Sequence, residues 1–204
     1  MKTSKVNKYR VTKRALAEAV EVLRAGGVVV HPSESSYGLA VDPTNRTAIK
    51  KLFALKNRPS GKAVLLAAAS RAQAKKTVQL SGKLDKLAQK YWPGPLTIVA
   101  PAKQKLDLTG TNRPTKQIAV RVPAAAWLRA LAEGLGHPVT STSVNLSGEA
   151  PLYSAASVRK LFADLSLKPD LILDVGRLPN RPPSTLVTEQ NGKLKILRQG
   201  SVKI

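Results

Sequence analysis

Val28-Val29-Val30-His31-Pro32-Ser33-Glu34-Ser35-Ser36-Tyr37-Gly38-Leu39 sets a short apolar run against an exit crowded with hydroxyls, a carboxylate and a phenol. The run reads as a buried strand and the exit as a loop, where functional groups tend to be mounted on a rigid scaffold. Upstream, Ala15, Leu16, Ala19, Val20, Val22 and Leu23 fall at helical spacing, with Thr12 as candidate N-cap and Gly26-Gly27 as the stop. Downstream, residues 43–55 read as a second helix. Helix, strand, functional loop and helix in succession is the alternation of an α/β chain.

The rest of the sequence continues that pattern. Residues 63–69 form an apolar run suited to a central strand, and the lysine-rich stretch 70–89 reads as one or two helices with a wet face. Trp92-Pro93-Gly94-Pro95 is a rigid turn ahead of the β-rich Leu96-Thr97-Ile98-Val99. A basic loop over 103–116 leads to a strand at 118–122, and Pro123 opens a helix over 124–135. Extended structure resumes at 138–143, Ser154 caps a helix to about 165, and short strands near 171–173, 185–188 and 193–197 finish the chain. The expected class is α/β (α+β), with one main open mixed sheet flanked by helices. Residues 1–11 carry Lys2, Lys5, Lys8 and Arg10 with few apolar groups, and read as a basic flexible arm ahead of a single domain over 12–204.

At 204 residues the chain fits one domain, long enough to bury roughly 70% of its unfolded surface. Its 34 basic against 12 acidic side chains leave a net charge of +22, which calls for a polyanionic partner such as nucleic acid or a nucleotide. Cysteine is absent, which excludes a disulfide framework, a thiol nucleophile and a thiolate-bound zinc site. A cytoplasmic setting is expected. No apolar stretch approaches the roughly 20 residues of a membrane span, so no membrane contact is expected. His31 and His137 stand without a carboxylate or second histidine at metal-ligand spacing, so no protein metal site is expected.

Two short polar pairs stand out. Lys56-Asn57-Arg58 is followed at once by Pro59, and Ser143-Val144-Asn145 lies inside Thr140-Ser141-Thr142-Ser143-Val144-Asn145-Leu146-Ser147-Gly148. In extended backbone, residues two apart point to one side, so each pair would aim two groups at one place. Pro59 disfavours helix at Arg58, which favours that geometry for the first pair. Two cations facing a hydroxyl and an amide is the chemistry of an anion site. Arg121 sits on a strand between apolar neighbours, and Arg198 precedes Gln199-Gly200; either serves an anion or a structural ion pair. Glu34 is a candidate base or magnesium holder.

Taken in order, Pro32-Ser33-Glu34 with Tyr37-Gly38, Lys56-Asn57-Arg58-Pro59, Trp92-Pro93-Gly94-Pro95-Leu96-Thr97, Val120-Arg121-Val122, Ser141 to Gly148 and Leu197-Arg198-Gln199-Gly200 resemble the YrdC/TsaC family, in its short single-domain branch. The resemblance implies a YrdC-like domain with a twisted open sheet and a basic concave face. It also implies synthesis of threonylcarbamoyl-AMP and pyrophosphate from L-threonine, bicarbonate and ATP, with Mg²⁺ carried on ATP. Downstream proteins then transfer the threonylcarbamoyl group to tRNA beside the anticodon. The family's Lys, Arg, Ser and Asn signature falls on Lys56, Arg58, Ser143 and Asn145 as catalytic and ATP-binding residues. Lys62 and Arg198 join them for ATP, while Ser33, Arg121, Ser141 and Ser184 are expected around threonine.

Two rivals remain open. One is a non-catalytic protein holding tRNA or rRNA on the same basic face. The other is a carbamoyl-adenylate enzyme like the related domain of hydrogenase maturation proteins, which ordinarily sits in longer chains with zinc-finger-like cysteines.

Overall fold

Helices begin where the sequence supplies an acceptor. The side chains of Asn45, Ser70, Ser81 and Ser154 accept hydrogen bonds from the backbone N–H of Ala48, Gln73, Leu84 and Ser157, opening α2 (Arg46–Leu55), α3 (Arg71–Thr77), α4 (Gly82–Tyr91) and α6 (Ala155–Leu161). Thr12 takes the N-cap position of α1 (Lys13–Arg24) without a side-chain bond, and α5 (Ala126–Leu135) follows Pro123. The computed structural model describes residues 1–7 and 10–204. α6 is shorter than the sequence reading: Phe162 leaves the helix at its C-cap and is fully buried.

The strands among the described residues are β1 (Lys2–Lys5), β2 (Val29–Pro32), β3 (Tyr37–Ala40), β4 (Leu65–Ala67), β5 (Leu96–Pro101), β6 (Gln117–Arg121), β7 (Val139–Ser143), β8 (Leu171–Asp174), β9 (Thr185–Gln190) and β10 (Lys193–Arg198). They form one open mixed sheet ordered β1-β8-β2-β3-β7-β4-β6-β5-β9-β10. Parallel neighbours (β1/β8, β2/β8, β4/β6, β5/β9) are mixed with antiparallel ones (β2/β3, β3/β7, β4/β7, β5/β6, β9/β10).

Two sequence expectations are corrected here. The His31–Leu39 exit is mostly a hairpin, pairing Val29 with Ala40 through Pro32 with Tyr37, and only residues 33–36 turn. The arm of residues 1–11 is not loose over Lys2–Lys5, which pair in parallel with β8 from Leu171 to Asp174. Lys8 lies outside the described residues. Ser4 donates to Glu18 at 2.9 Å, Lys2 pairs with the same carboxylate, and the Trp127 indole N–H donates to the Asn7 carbonyl at 2.7 Å. A β8 edge otherwise presents unpaired backbone groups, and Lys2–Lys5 satisfies them across a sequence gap that no local pattern reveals.

Alternation along the strands divides the core in two. On one face Val30, Leu39, Leu66, Ile98, Val120 and Val187 pack beneath α2, α3, α4 and α6. On the other, Val29, Ala40, Ala67, Val139 and Leu171 pack beneath α1 and α5. Those two helices cover only part of their face. The remainder, over β4, β6 and β9, is the floor of a cavity.

Candidate functional site

The C-terminus of α2 delivers the first cation. Asn57 adopts a left-handed φ of 47°, its N–H bonds to Ala54 O at 3.0 Å, and the Arg58 N–H bonds to Phe53 O at 2.9 Å. This pairing is a Schellman stop with asparagine in the usual glycine place. Lys56, at the cap, has helical backbone. The extended geometry expected for Lys56 and Arg58 is therefore wrong: a helix end separates the two side chains rather than aligning them.

Lys56 turns inward and is only 2% exposed. Its ammonium donates to the Ser143 carbonyl, to the Asn145 carbonyl at 3.1 Å and to Asn145 Oδ1 at 2.6 Å. Ser143 Oγ donates to the same Oδ1 at 2.8 Å, and Asn145 Nδ2 donates to Glu149 O at 2.6 Å. Ser143 and Asn145 thus share one side, as their spacing predicted, while Val144 between them is buried in the core. All three ammonium hydrogens meet neutral oxygens, so the charge is solvated by the protein but not neutralised. Burial, with Arg58 and Lys62 adding repulsion, pushes the Lys56 ammonium from 10.5 down to about 8.

Arg58 continues outward. Its Nε donates to Lys62 O and one Nη to Ala63 O, both at 2.8 Å, and the guanidinium lies 5.8 Å from the Phe53 ring centroid. The plane is held, and burial lowers its pKa. The Lys62 ammonium has no hydrogen-bond partner among the described residues.

The opposite wall comes from the β2–β3 turn, the end of β6, β7, the loop before β9 and the end of β10. Arg121, at the end of β6, pairs through Nη2 with Glu34, whose second oxygen accepts the N–H groups of Ala124 and Ala125 at the mouth of α5. Burial raises the Glu34 carboxyl, but Arg121 and these backbone donors outweigh it and hold the pKa below the usual value. Glu34 is thus committed to anchoring the hairpin turn, which leaves it poorly placed as a base or magnesium ligand. Arg121 Nε is buried without a hydrogen-bond partner among the described residues. Ser33 Oγ donates to Ser36 O at 2.7 Å, and Ser141 Oγ lies 3.5 Å from His31 Nε2. His31 is fully buried, and burial pushes it down to about 4, so it is neutral. Gly38 makes room for it: a Cβ there would stand 2.6 Å from the imidazole. Arg198 Nη2 donates to Ser184 O at 2.9 Å and Ser184 Oγ at 3.2 Å, and that hydroxyl shares a 2.7 Å bond with Thr97.

These segments enclose a cavity of about 800 Å³. Ser33, Arg58, Lys62, Arg121, Ser141, Ser143, Asn145, Ser184 and Arg198 all line it, and Lys56 does not. The lysine acts from behind the wall through Ser143 and Asn145. Sequence reasoning missed Arg181, Asn180, Tyr153 and Glu149, which also line the cavity. The Tyr153 hydroxyl donates to Asn180 at 2.9 Å. Their signal was proximity to Ser184 and Asn145 in polar or proline-rich loops, which specifies no direction. Five cations, Arg58, Lys62, Arg121, Arg181 and Arg198, face this space, against Glu149 at its rim. Volume and charge suit a small ligand with several negative charges. No group of three or more His, Cys, Asp or Glu able to hold a metal occurs among the described residues.

A model of the family described as Telomere recombination, covering Sua5, YciO and YrdC, matches residues 21–200. Sua5 of P. abyssi in complex with L-threonine superposes with a TM-score of 0.86 at 28% identity, covering 98% of this chain and 58% of that one. E. coli YciO superposes at 0.83 with 25% identity, covering 98% of this chain and 96% of that one. T. kodakarensis HypF, at 18% identity and TM-score 0.76, shares the fold over 94% of this chain and 25% of its own. The chain spans 58% of the length of P. abyssi Sua5.

Proposed function

The chain belongs to the Sua5/YciO/YrdC family, and on that premise we propose that it makes threonylcarbamoyl-AMP from L-threonine, bicarbonate and ATP. The threonine amine adds to the carbon of bicarbonate with loss of water. A carbamate oxygen then attacks the α-phosphorus, and the bond from that phosphorus to the α,β-bridging oxygen breaks, so that pyrophosphate leaves. The product serves threonylcarbamoylation of tRNA next to the anticodon by downstream proteins.

The observation that carries this reading is the convergence of segments far apart in sequence on one cationic cavity, with Arg121 Nε unpartnered among the described residues in its wall. Arg121, steadied by Glu34, receives the threonine carboxylate, with Ser33, Ser141 and Ser184 around the amino acid. Arg58, Lys62 and Arg198 hold the ATP phosphates, where fixed cations stabilise charge on the phosphoryl oxygens and the leaving pyrophosphate. Ser143 and Asn145 orient the reacting groups, and Lys56 fixes both while lending them its field. With Glu34 committed, the carboxylate among the described residues lining the cavity is Glu149, so Mg²⁺ would be carried by the ATP phosphates rather than by a protein cage. The L-threonine complex of P. abyssi Sua5 agrees with threonine as substrate. The likeness to HypF is one of fold alone, and nothing in the cavity favours carbamoyl phosphate.

Pyrophosphate release from ATP, with bicarbonate and each amino acid in turn, tests the proposal. Release that needs both bicarbonate and threonine is expected. Absence of release with every amino acid overturns it in favour of an RNA-holding protein.

A further inference from the structure

α4 stands on the face of the sheet away from the cavity. Leu84 and Ala88 turn into the core over β5 and β9, whereas Lys83, Lys86 and Lys90 are exposed. Positions i, i+3 and i+7 make one stripe, about 10 Å from end to end. Like charges at this spacing destabilise a helix. The acid on α4, Asp85, is already occupied by Lys75 at 2.7 Å and approached by Arg71 at 3.9 Å. Of the neighbouring segments, β9 brings Glu189, which accepts from Ser81 at the N-cap of α4, and Lys83 donates to the Gly192 carbonyl, which leaves Lys86 and Lys90 as the outer part of the stripe. Lys103 donates to the Lys75 carbonyl at 3.0 Å, and the Tyr91 hydroxyl reaches the Lys203 carbonyl at 3.3 Å, which brings both lysines beside α3 and α4.

We propose that this band is a second anion surface, which binds the phosphate backbone of a nucleic acid on the side of the sheet opposite the cavity. The cavity uses five cations, a small part of a net charge of +22. Aromatic residues make up 4% of the chain, so contact is through phosphates rather than stacked bases. The apolar side of α4 is spent on the core, so the helix itself has no apolar face to enter a lipid surface. The inference is independent of the reaction proposed above.

Polarisation titrations of the full chain against labelled tRNA and a DNA duplex, from about 50 to 200 mM salt, test it. For Lys86→Glu/Lys90→Glu the affinity is expected to fall roughly 10-fold or more and the log–log salt slope to shrink by about 2. Saturating ATP leaves binding unchanged in the unaltered protein. Equal affinity for both probes assigns general backbone contact and a preference for tRNA assigns folded RNA; either upholds the proposal. Unchanged binding by the variant, displacement by ATP, absence of binding to both probes, or capture by phosphatidylserine vesicles in place of tRNA overturns it. These outcomes are read without turnover, so they stand whether or not pyrophosphate is released.

Discussion

Lys56 is the residue on which site chemistry and fold stability meet. Its folded-state pKa of about 8 lies below the ordinary 10.5, so between these values the unfolded chain holds more protons and stability rises with pH. Below about pH 8 the full cost of the buried charge is carried. An anion in the cavity favours the charged form, so ATP affinity should fall as pH rises through about 8. Isothermal titration between roughly pH 7 and 9.5 reads this, and Lys56→Met should bind more weakly and lose the inflection. Asn145→Ala removes the oxygen shared by Lys56 and Ser143. Turnover should fall about 10²-fold, with a stability loss of about 1–3 kcal/mol by denaturant titration, since a buried donor is stranded. The sequence made Ser143 and Asn145 legible because period-two spacing survives in β7 and its exit. It misled on Lys56 and Arg58, since the left-handed turn at Asn57 depends on how α2 ends, not on Pro59.

Among the elements, the loop before β9 and the exit of β10 are locked together at Gly200. A Cβ there would lie 2.3 Å from the Pro183 carbonyl and 2.4 Å from Ser184 C. Thr185 Oγ1 also accepts from the Gly200 and Val202 N–H groups at 3.0 and 3.1 Å. Gly200→Ala is expected to displace the Ser184 segment, raising KM for threonine in steady-state kinetics and costing about 1–3 kcal/mol by thermal unfolding. Helix starts were readable because serine and asparagine acceptors act within four residues. The β2/β3 hairpin was not, because hydroxyl-rich Ser33 to Ser36 looks like any surface loop until Tyr37 to Ala40 is seen buried. Tyr37 itself is held by its hydroxyl, which donates to Gly176 O at 2.8 Å and accepts from the Val175 N–H at 3.0 Å.

At the scale of the whole molecule, β1 closes the sheet at the edge remote from the cavity. Deleting residues 1–6 should lower the unfolding midpoint and leave pyrophosphate release at the level of the full chain, since no residue of β1 lines the cavity. No helix among the described residues is long and apolar enough to cross a membrane. The sequence by itself determined the class of fold, the order of most helices and strands, the excess of positive charge, and the residue types around much of the cavity, because periodicity, capping and net charge are local or additive properties. Only the tertiary structure decided that Lys56 stands behind the wall, that Glu34 belongs to Arg121 and α5, that Arg181 joins the cavity, and that the α4 lysines lie across the sheet from it. Each of these depends on which segments far apart in sequence become neighbours, and that is set by strand order and by the part of one face that α1 and α5 leave uncovered.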